Sequence, residues 1–296
     1  MSANIPTHFV QQYSTNIQLL LQQKGSKLRN TVMMGNHVGK QASPVDQIGK
    51  VEMQPVAGRF NPMNRVDAAL DRRWVFPSDF DLPQLIDEFD KLRLITDPSS
   101  AYVQNAVMAA GRQFDKLICS AFTGTAKTGE NGSTSTIFTA ANEVDVAVGG
   151  ASSKLNVAKI KAVKELMMSK HIDFDMEEVY IGITAADHAA LLNEIQVVSL
   201  DFNARPVLQD GKVTQFLGFN LVHCELIETS LAGTNEVTLP VWCKSGMYLG
   251  LWNDIQNSVS QRNDLQGEPW QLYTKMTAGA TRLEEDKVFS IESYRA

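Results

Sequence analysis

Between His37 and Pro83 the chain carries Gly39, Pro44, Gly49, Pro55, Gly58, Pro62, Pro77 and Pro83. Proline lacks a backbone donor and clashes with the preceding helical turn, and glycine loses the most backbone freedom on ordering. This density therefore forbids long helices and cuts strands short. Between the breakers lie extended runs: KVEMQPV, where Val51 and Met53 alternate with polar neighbours, and RRWVFP around Trp74. The pattern predicts an extended two-stranded excursion rather than a compact subdomain. A segment of this size with so little apolar content cannot hold itself together alone, and it is expected to pack on another molecule.

The next segment has the opposite character. Asp97-Pro98-Ser99 offers a cap residue and a proline suited to a first helical turn. Val103, Val107, Ala110, Phe114, Leu117 and Ala121 then recur at spacings of 3 or 4. That is one apolar stripe on a helix of about 22 residues, roughly 33 Å long, against a mean of about 11 to 12 residues in globular proteins. Arg112, Asp115 and Lys116 fall off the stripe, and Gly124 is expected to end the helix. Such a helix reads as a structural beam.

The rest alternates. GTAKTGENGSTST is a polar loop, and IFTAANEVDVAV suggests a strand through Val144, Val146 and Val148, closed by Gly149-Gly150. A second amphipathic helix is predicted over 155–170, with Leu155, Ala158, Ile160, Val163, Leu166 and Met167 inward and Lys159, Lys161 and Lys164 outward. VYIGI at 179–183 reads as a buried strand, and Thr184 can cap a third helix running through Ala189, Leu191 and Leu192. From Val213 onward the pattern is β. Strands that come late, after helices, favour an α+β fold over a parallel doubly wound sheet.

At 296 residues, with 44% apolar, 20% charged and 8% aromatic residues, the chain can bury a core and is neither fibrous nor wholly disordered. No stretch approaches the roughly 18 to 20 uninterrupted apolar residues of a membrane span, and the first 30 residues hold no apolar signal core, which predicts a protein that stays in the cytoplasm where it is made. Cys119, Cys224 and Cys243 cannot all pair and lack Cys-x-x-Cys spacing, so they read as reduced, buried small hydrophobes. The net charge of −6 argues against a generic nucleic-acid binder. The charge is uneven: residues 1–50 hold Lys24, Lys27, Arg29, Lys40 and Lys50 against the single acid Asp46, a net +4 that leaves −10 for the rest. This basic arm either meets something acidic or is simply solvated.

Catalytic chemistry is absent from the pattern. GTAKTGEN lacks the Lys and Ser/Thr of a phosphate loop and follows a helix rather than a strand. There is no Gly-x-Ser-x-Gly elbow or His-Glu-x-x-His spacing, and His8, His37, His171, His188 and His223 are scattered singly. The acidic run Asp173 to Glu178 lacks the turn glycine and terminal Glu of a calcium loop and reads as a solvated connection. Glu284, Glu285 and Asp286 sit in a predicted turn without a partner for acid/base work. Trp242, Trp252, Trp270 and Tyr273 are assigned to core packing. The reading is of a non-enzyme with no catalytic residues, no cofactor and no metal site.

Five segments in order carry a resemblance: the basic arm, the punctuated extended loop, the long helix with its lead-in LIDEFDKLRLITDPSS and body AAGRQFDKLICSAFTGTAKTG, the run KVTQFLGFNLVHCELI, and the C-terminal GMYLGLWNDIQNSV and MTAGATRLEEDKVFSIES. Together they resemble the major capsid proteins of tailed bacteriophages, with the Hong Kong 97 type fold. The resemblance implies an N-terminal arm over 1–39 and an extended loop over 40–80. A peripheral domain over 81–153 and 255–296 would be built on the long spine helix, with an axial domain over 154–254. It implies a structural protein that self-assembles, as hexamers and pentamers, into an icosahedral shell enclosing double-stranded DNA.

On that resemblance Arg59, Arg65, Arg72, Arg73 and Trp74 are candidates for contacts with neighbouring subunits, and Lys24, Lys27 and Arg29 for an inward-facing basic arm. The alternative for the arginines is neutralisation by Asp67 and Asp71 within the chain. The acidic remainder would keep packaged DNA from adhering to the wall, so DNA contact would be non-specific. Implied partners are the chain itself, a separate scaffold, portal and decoration proteins, without any membrane. The implied location is the virion, assembled in the bacterial host cytoplasm. No long helical prepiece is expected, so any scaffold would come from a separate chain or have been removed, and no Lys–Asn crosslink between subunits is expected. Alternative readings are an encapsulin-like compartment shell, with a cargo-peptide groove, and a soluble α+β enzyme with a dispersed site.

Overall fold

The computed structural model describes residues 21–39, 42–55, 58, 65–86, 99–150, 153–194, 208–209, 212–227 and 235–295. In chain order the strands are β1 (Met33–Asn36), β2 (Ser43–Ile48), β3 (Leu70–Val75), β4 (Ser78–Ile86), β5 (Ala126–Thr128), β6 (Thr134–Thr136), β7 (Glu143–Val144), β8 (Val179–Ile183), β9 (Leu208–Gln209), β10 (Lys212–Val213), β11 (Gln215–Phe216), β12 (Phe219–His223), β13 (Glu236–Cys243), β14 (Met247–Gln261), β15 (Trp270–Arg282) and β16 (Val288–Tyr294). The α-helices are α1 (Ser99–Thr123), α2 (Val157–Ser169) and α3 (Ala185–Leu192). The chain forms two compact units, one of Met1–Ser26, Asp79–Gln113 and Asn253–Thr277, the other of Lys27–Ser78, Phe114–Trp252 and Ala278–Ala296. Helix α1 and strands β14 and β15 each run from one unit into the other.

Helix α1 spans 25 residues, about 37 Å at 1.5 Å per residue. The segment holding Asp97 and Pro98 lies outside the described residues. Its buried stripe, Ala106, Ala110, Phe114, Ile118 and Phe122, is rotated from the predicted one, and Val107 is 37% exposed. The rotation follows from Asp115, which is fully buried because its carboxylate accepts the backbone N–H groups of Lys27 (3.0 Å) and Leu28 (3.0 Å). Earlier on the helix, Gly111 lies against the backbone of Gly25, where an added Cβ would fall 2.5 Å from the carbonyl carbon. Arg112 donates to Gln22 at 2.7 Å and Gln22 donates to Asn105 at 3.0 Å, so residues 22–25 are laid along the helix. Gly124 closes α1 without a left-handed φ; its amide bonds the Ser120 carbonyl at 3.1 Å, a contact a Cβ would crowd at 2.5 Å.

The larger unit is built on a mixed six-stranded sheet in the order β11-β12-β8-β13-β16-β7. Strand β13 is antiparallel to both β8 and β16, with Glu236 opposite Tyr294 and Trp242 opposite Val288. The late strands β13 and β16 thus lie inside the sheet, where Leu239, Val241 and Ile291 are fully buried. Helix α2 packs against β16 and β7 and buries Ile160, Val163 and Met167 completely, each worth about 1.5–3 kcal/mol. Trp242 stacks with Tyr180 at 5.8 Å, meets Phe122 at 4.6 Å and donates to the Thr31 carbonyl at 3.0 Å.

Several expectations shift. Lys159, predicted outward, is fully buried and donates to the carbonyls of Ser153 (2.6 Å) and Glu292 (2.7 Å); burial holds its ammonium below the usual lysine range. The valine alternation yields a strand only at Glu143–Val144, because Asp145 accepts the Ala147 amide (2.7 Å) and turns the chain. Thr184 caps α3 as expected, with Asp187 three residues on. The Asp187 carboxylate also receives Ser293 at 2.5 Å and Arg295 at 2.6 Å. The acids at 177–178 and 284–286 are paired with lysines and arginines rather than merely solvated. All three cysteines are buried and unbridged. Among the described residues no helix is long and apolar enough to cross a membrane, and no metal-holding cluster of His, Cys, Asp and Glu occurs.

Candidate functional site

The punctuated segment folds as a two-stranded antiparallel excursion from the larger unit. Strands β2 and β3 pair from Ser43 opposite Val75 to Ile48 opposite Leu70, and β3 continues the sheet through β5 and β6. The Gly49 amide bonds the Ala69 carbonyl at 2.6 Å and closes the ladder. Beyond that pinch Val51 and Met53 lie outside any strand, so KVEMQPV does not pair as its alternation suggests. The far end is apolar and uncovered: Ile48 is 76%, Leu70 78% and Met53 102% exposed.

At its near end the excursion is fixed by two polar groups. His37 hydrogen-bonds Ser43 Oγ through Nδ1 at 2.7 Å and Tyr248 through Nε2 at 2.9 Å, and its ring lies tilted by 36° against Trp252 with centroids 4.9 Å apart. Burial holds the His37 imidazole below its ordinary pKa, so it is neutral near pH 7. The second group is Arg73, Glu285 and Arg282. Arg73 is buried and faces Glu285 Oε1 at 3.4 Å, while Arg282, fully buried, donates to Glu285 Oε2 at 2.8 Å. Arg282 also donates from Nη1 to the carbonyls of Phe122 (2.8 Å) and Gly124 (2.6 Å), supplying donors to the carbonyl end of α1, where the helix dipole favours a cation.

The predicted residues divide by position. Arg59 lies outside the described residues. Arg65 is exposed and pairs with Asp67 at 2.6 Å. Arg72 pairs with Asp46 at 2.5 Å, the residue directly opposite on β2, while Asp71 instead accepts the Arg72 amide at 2.8 Å. Trp74 is half-buried, donates to the Gly129 carbonyl at 2.6 Å and lies 6.0 Å below the Arg72 guanidinium. Lys24 and Lys27 are exposed, and Arg29 sits 5.0 Å from the Phe114 ring. Sequence reasoning missed Glu285, Arg282, His37 and Asp46. Only Asp46 left a local signal, as the cross-strand neighbour an antiparallel hairpin sets opposite Arg72.

Among the described residues of the excursion, the base is held by buried polar contacts and the end of the ladder exposes Ile48 and Leu70. Solved structures share the fold over the full chain. The capsid of cyanophage P-SCSP1u is similar at 13% identity, covering 100% of this chain and 97% of that one, with a TM-score of 0.76. The capsid of cyanophage Pam1 matches at 12% identity, full coverage of both chains and a TM-score of 0.72. The capsid of Ralstonia phage GP4 matches at 10% identity over 100% and 98%, with a TM-score of 0.70. No curated protein matches the sequence. The phage capsid protein family matches residues 5–294, nearly the whole length, and with an α+β fold shared with phage capsids the chain belongs to that family, as a structural shell protein of a bacteriophage.

Proposed function

We propose that copies of this chain close into an icosahedral shell around double-stranded DNA, with the β2–β3 excursion as the part that grips a neighbouring subunit. The observation that carries the excursion's role is the pairing of Ile48 with Leu70 at its end, each more than three-quarters exposed on adjacent strands of one chain. A contiguous apolar tip on an extension with so little core of its own is stabilised when another surface covers it. Arg65, Arg72 and Trp74 flank that tip and supply polar and cation–π contacts at the rim, and Arg59 belongs to the same segment. Arg73 acts from the base, holding the excursion's direction. The arm with Lys24, Lys27 and Arg29 faces an acidic partner, non-specifically bound DNA or a separate scaffold, within particles assembled in the host cytoplasm. On this reading the loop covers 40–80, the peripheral domain 81–153 and 255–296, and the axial domain 154–254.

Replacing residues 50–68 by an Asn-Gly turn together with Ile48→Ser and Leu70→Ser keeps the Gly49–Ala69 closure and removes the apolar tip. The expected product is folded, soluble protein with unchanged thermal stability that fails to form closed particles in sedimentation and electron micrographs. Normal particles from this variant would rule out the excursion as the gripping element.

A further inference from the structure

A sheet edge with unpaired N–H and C=O groups is a template for another strand, and soluble proteins blunt such edges with prolines, charges, bulges or shortness. The described edges of this chain follow that rule with one exception. Strand β2 carries Pro44 and Asp46, and β4 carries Asp79, Asp81 and Pro83. Strands β1, β6, β7 and β11 are two to four residues long. Strand β14 differs. Its ladder with β1 ends at Leu251, and beyond that point, among the described residues, β15 is its sole strand neighbour. The open stretch Ile255–Gln261, IQNSVSQ, contains no charge, proline or glycine. It is about 24 Å long at 3.4 Å per residue. Residues 256–261 are all exposed, Val259 at 51%.

We propose that residues 255–261 pair antiparallel with the same residues of a second copy of this chain across a two-fold axis near Ser258. The sequence is suited to meet itself. Across a two-fold axis at Ser258 each residue faces the one equally far on the other side, Gln256 opposite Ser260 and Asn257 opposite Val259, and as the stretch carries no charge no like charges are set against each other. The chain's other long edges, β2 and β4, present acids and prolines that make poor partners for this one. The Thr274 hydroxyl donates to Asn257 at 2.7 Å and the Gln261 amide reaches Glu268, which ties β14 to its own hairpin and holds the edge extended. The pairing deepens the shell reading, on which it rests, by naming a strand-to-strand contact between subunits distinct from the loop grip.

Single cysteines at Gln256, Ser258 and Ser260 test it in assembled particles under mild oxidation or a short thiol crosslinker, read on a non-reducing gel. The native Cys119, Cys224 and Cys243 are buried and do not compete. Antiparallel pairing centred on Ser258 gives a covalent dimer from Ser258→Cys alone, and from Gln256→Cys only when co-assembled with Ser260→Cys. A dimer from Gln256→Cys by itself, or no dimer from any of the three, overturns it. These positions are exposed, so the substitutions leave folding undisturbed. As a second measure, Ser258→Lys sets two ammonium groups face to face and should lower particle yield roughly tenfold at low salt, with recovery near 0.5 M salt; a yield equal to the unsubstituted chain at low salt also overturns the pairing. Particles without the crosslink leave the shell reading standing, whereas an unassembled 32.7 kDa monomer from the unsubstituted chain overturns both.

Discussion

Arg282 donates to the carbonyl oxygen of Phe122 at 2.8 Å, so a fully buried cation from β15 closes the end of α1. The same guanidinium holds Glu285, which faces Arg73 on β3. One carboxylate and two arginines thereby couple the end of the helix to the root of the loop.

Removing that guanidinium leaves the last carbonyls of α1 without their donor and Glu285 with Arg73 alone, at 3.4 Å. Arg282→Met is therefore expected to destabilise the monomer by about 3–5 kcal/mol, measured as a drop in denaturant midpoint. Arg282→Lys should recover only part of this, because a single ammonium cannot span Phe122, Gly124 and Glu285 together.

Asp115 holds the arm through two backbone amides. In Asp115→Ala those N–H groups lose their acceptor, a cost of about 1–3 kcal/mol per buried group. The expected signature is local: faster hydrogen exchange at the Leu28 amide and earlier proteolysis near Lys27, with the six-stranded sheet still protected.

His37 gives the fold a pH dependence of definite sign. Burial lowers its folded pKa below 6.5, so the unfolded chain binds the extra proton more readily. Stability from this group is complete above pH 6.5 and declines as the pH falls below it. Denaturant midpoints between pH 8 and 5 should fall for the natural chain and run flatter for His37→Gln.

Asp187 acts at lower pH. Burial alone raises its pKa, but hydrogen bonds from Arg295, Ser293 and Thr184 outweigh it and leave the folded value below 3.8. Its contribution is present above pH 3.8 and is lost as the pH drops through the folded value. Asp187→Asn should weaken the protein at neutral pH, where its three partners lose the charge, and show a smaller further loss on acidification.

The elements written in local pattern were legible. The long helix, the VYIGI strand, the Thr184 cap and the late strands follow from spacing and turn residues alone, as does the two-stranded excursion. The buried charges were not. Asp115, Lys159 and Arg282 meet their partners 88, 133 and 160 residues away, and nothing near them in sequence distinguishes a buried charge from a solvated one. Polar residues on an amphipathic helix are assigned to water by default, and that default failed where a distant backbone carbonyl or amide needed a partner. The shell function was legible through the order of segments, and the base of the loop was not, because His37, Ser43, Tyr248 and Trp252 are assembled by the fold.

The Gly49–Ala69 closure divides the excursion into two evolutionary regimes. On the body side Ser43–Ile48 and Leu70–Val75 are held in ladder register. On the far side, lengthening the chain costs little more than loop-closure entropy, about 0.6 kcal/mol for each doubling. Insertion or grafted foreign peptide is therefore expected to be tolerated there by the monomer, and on the proposed gripping role that is also where a change would alter the choice of neighbour.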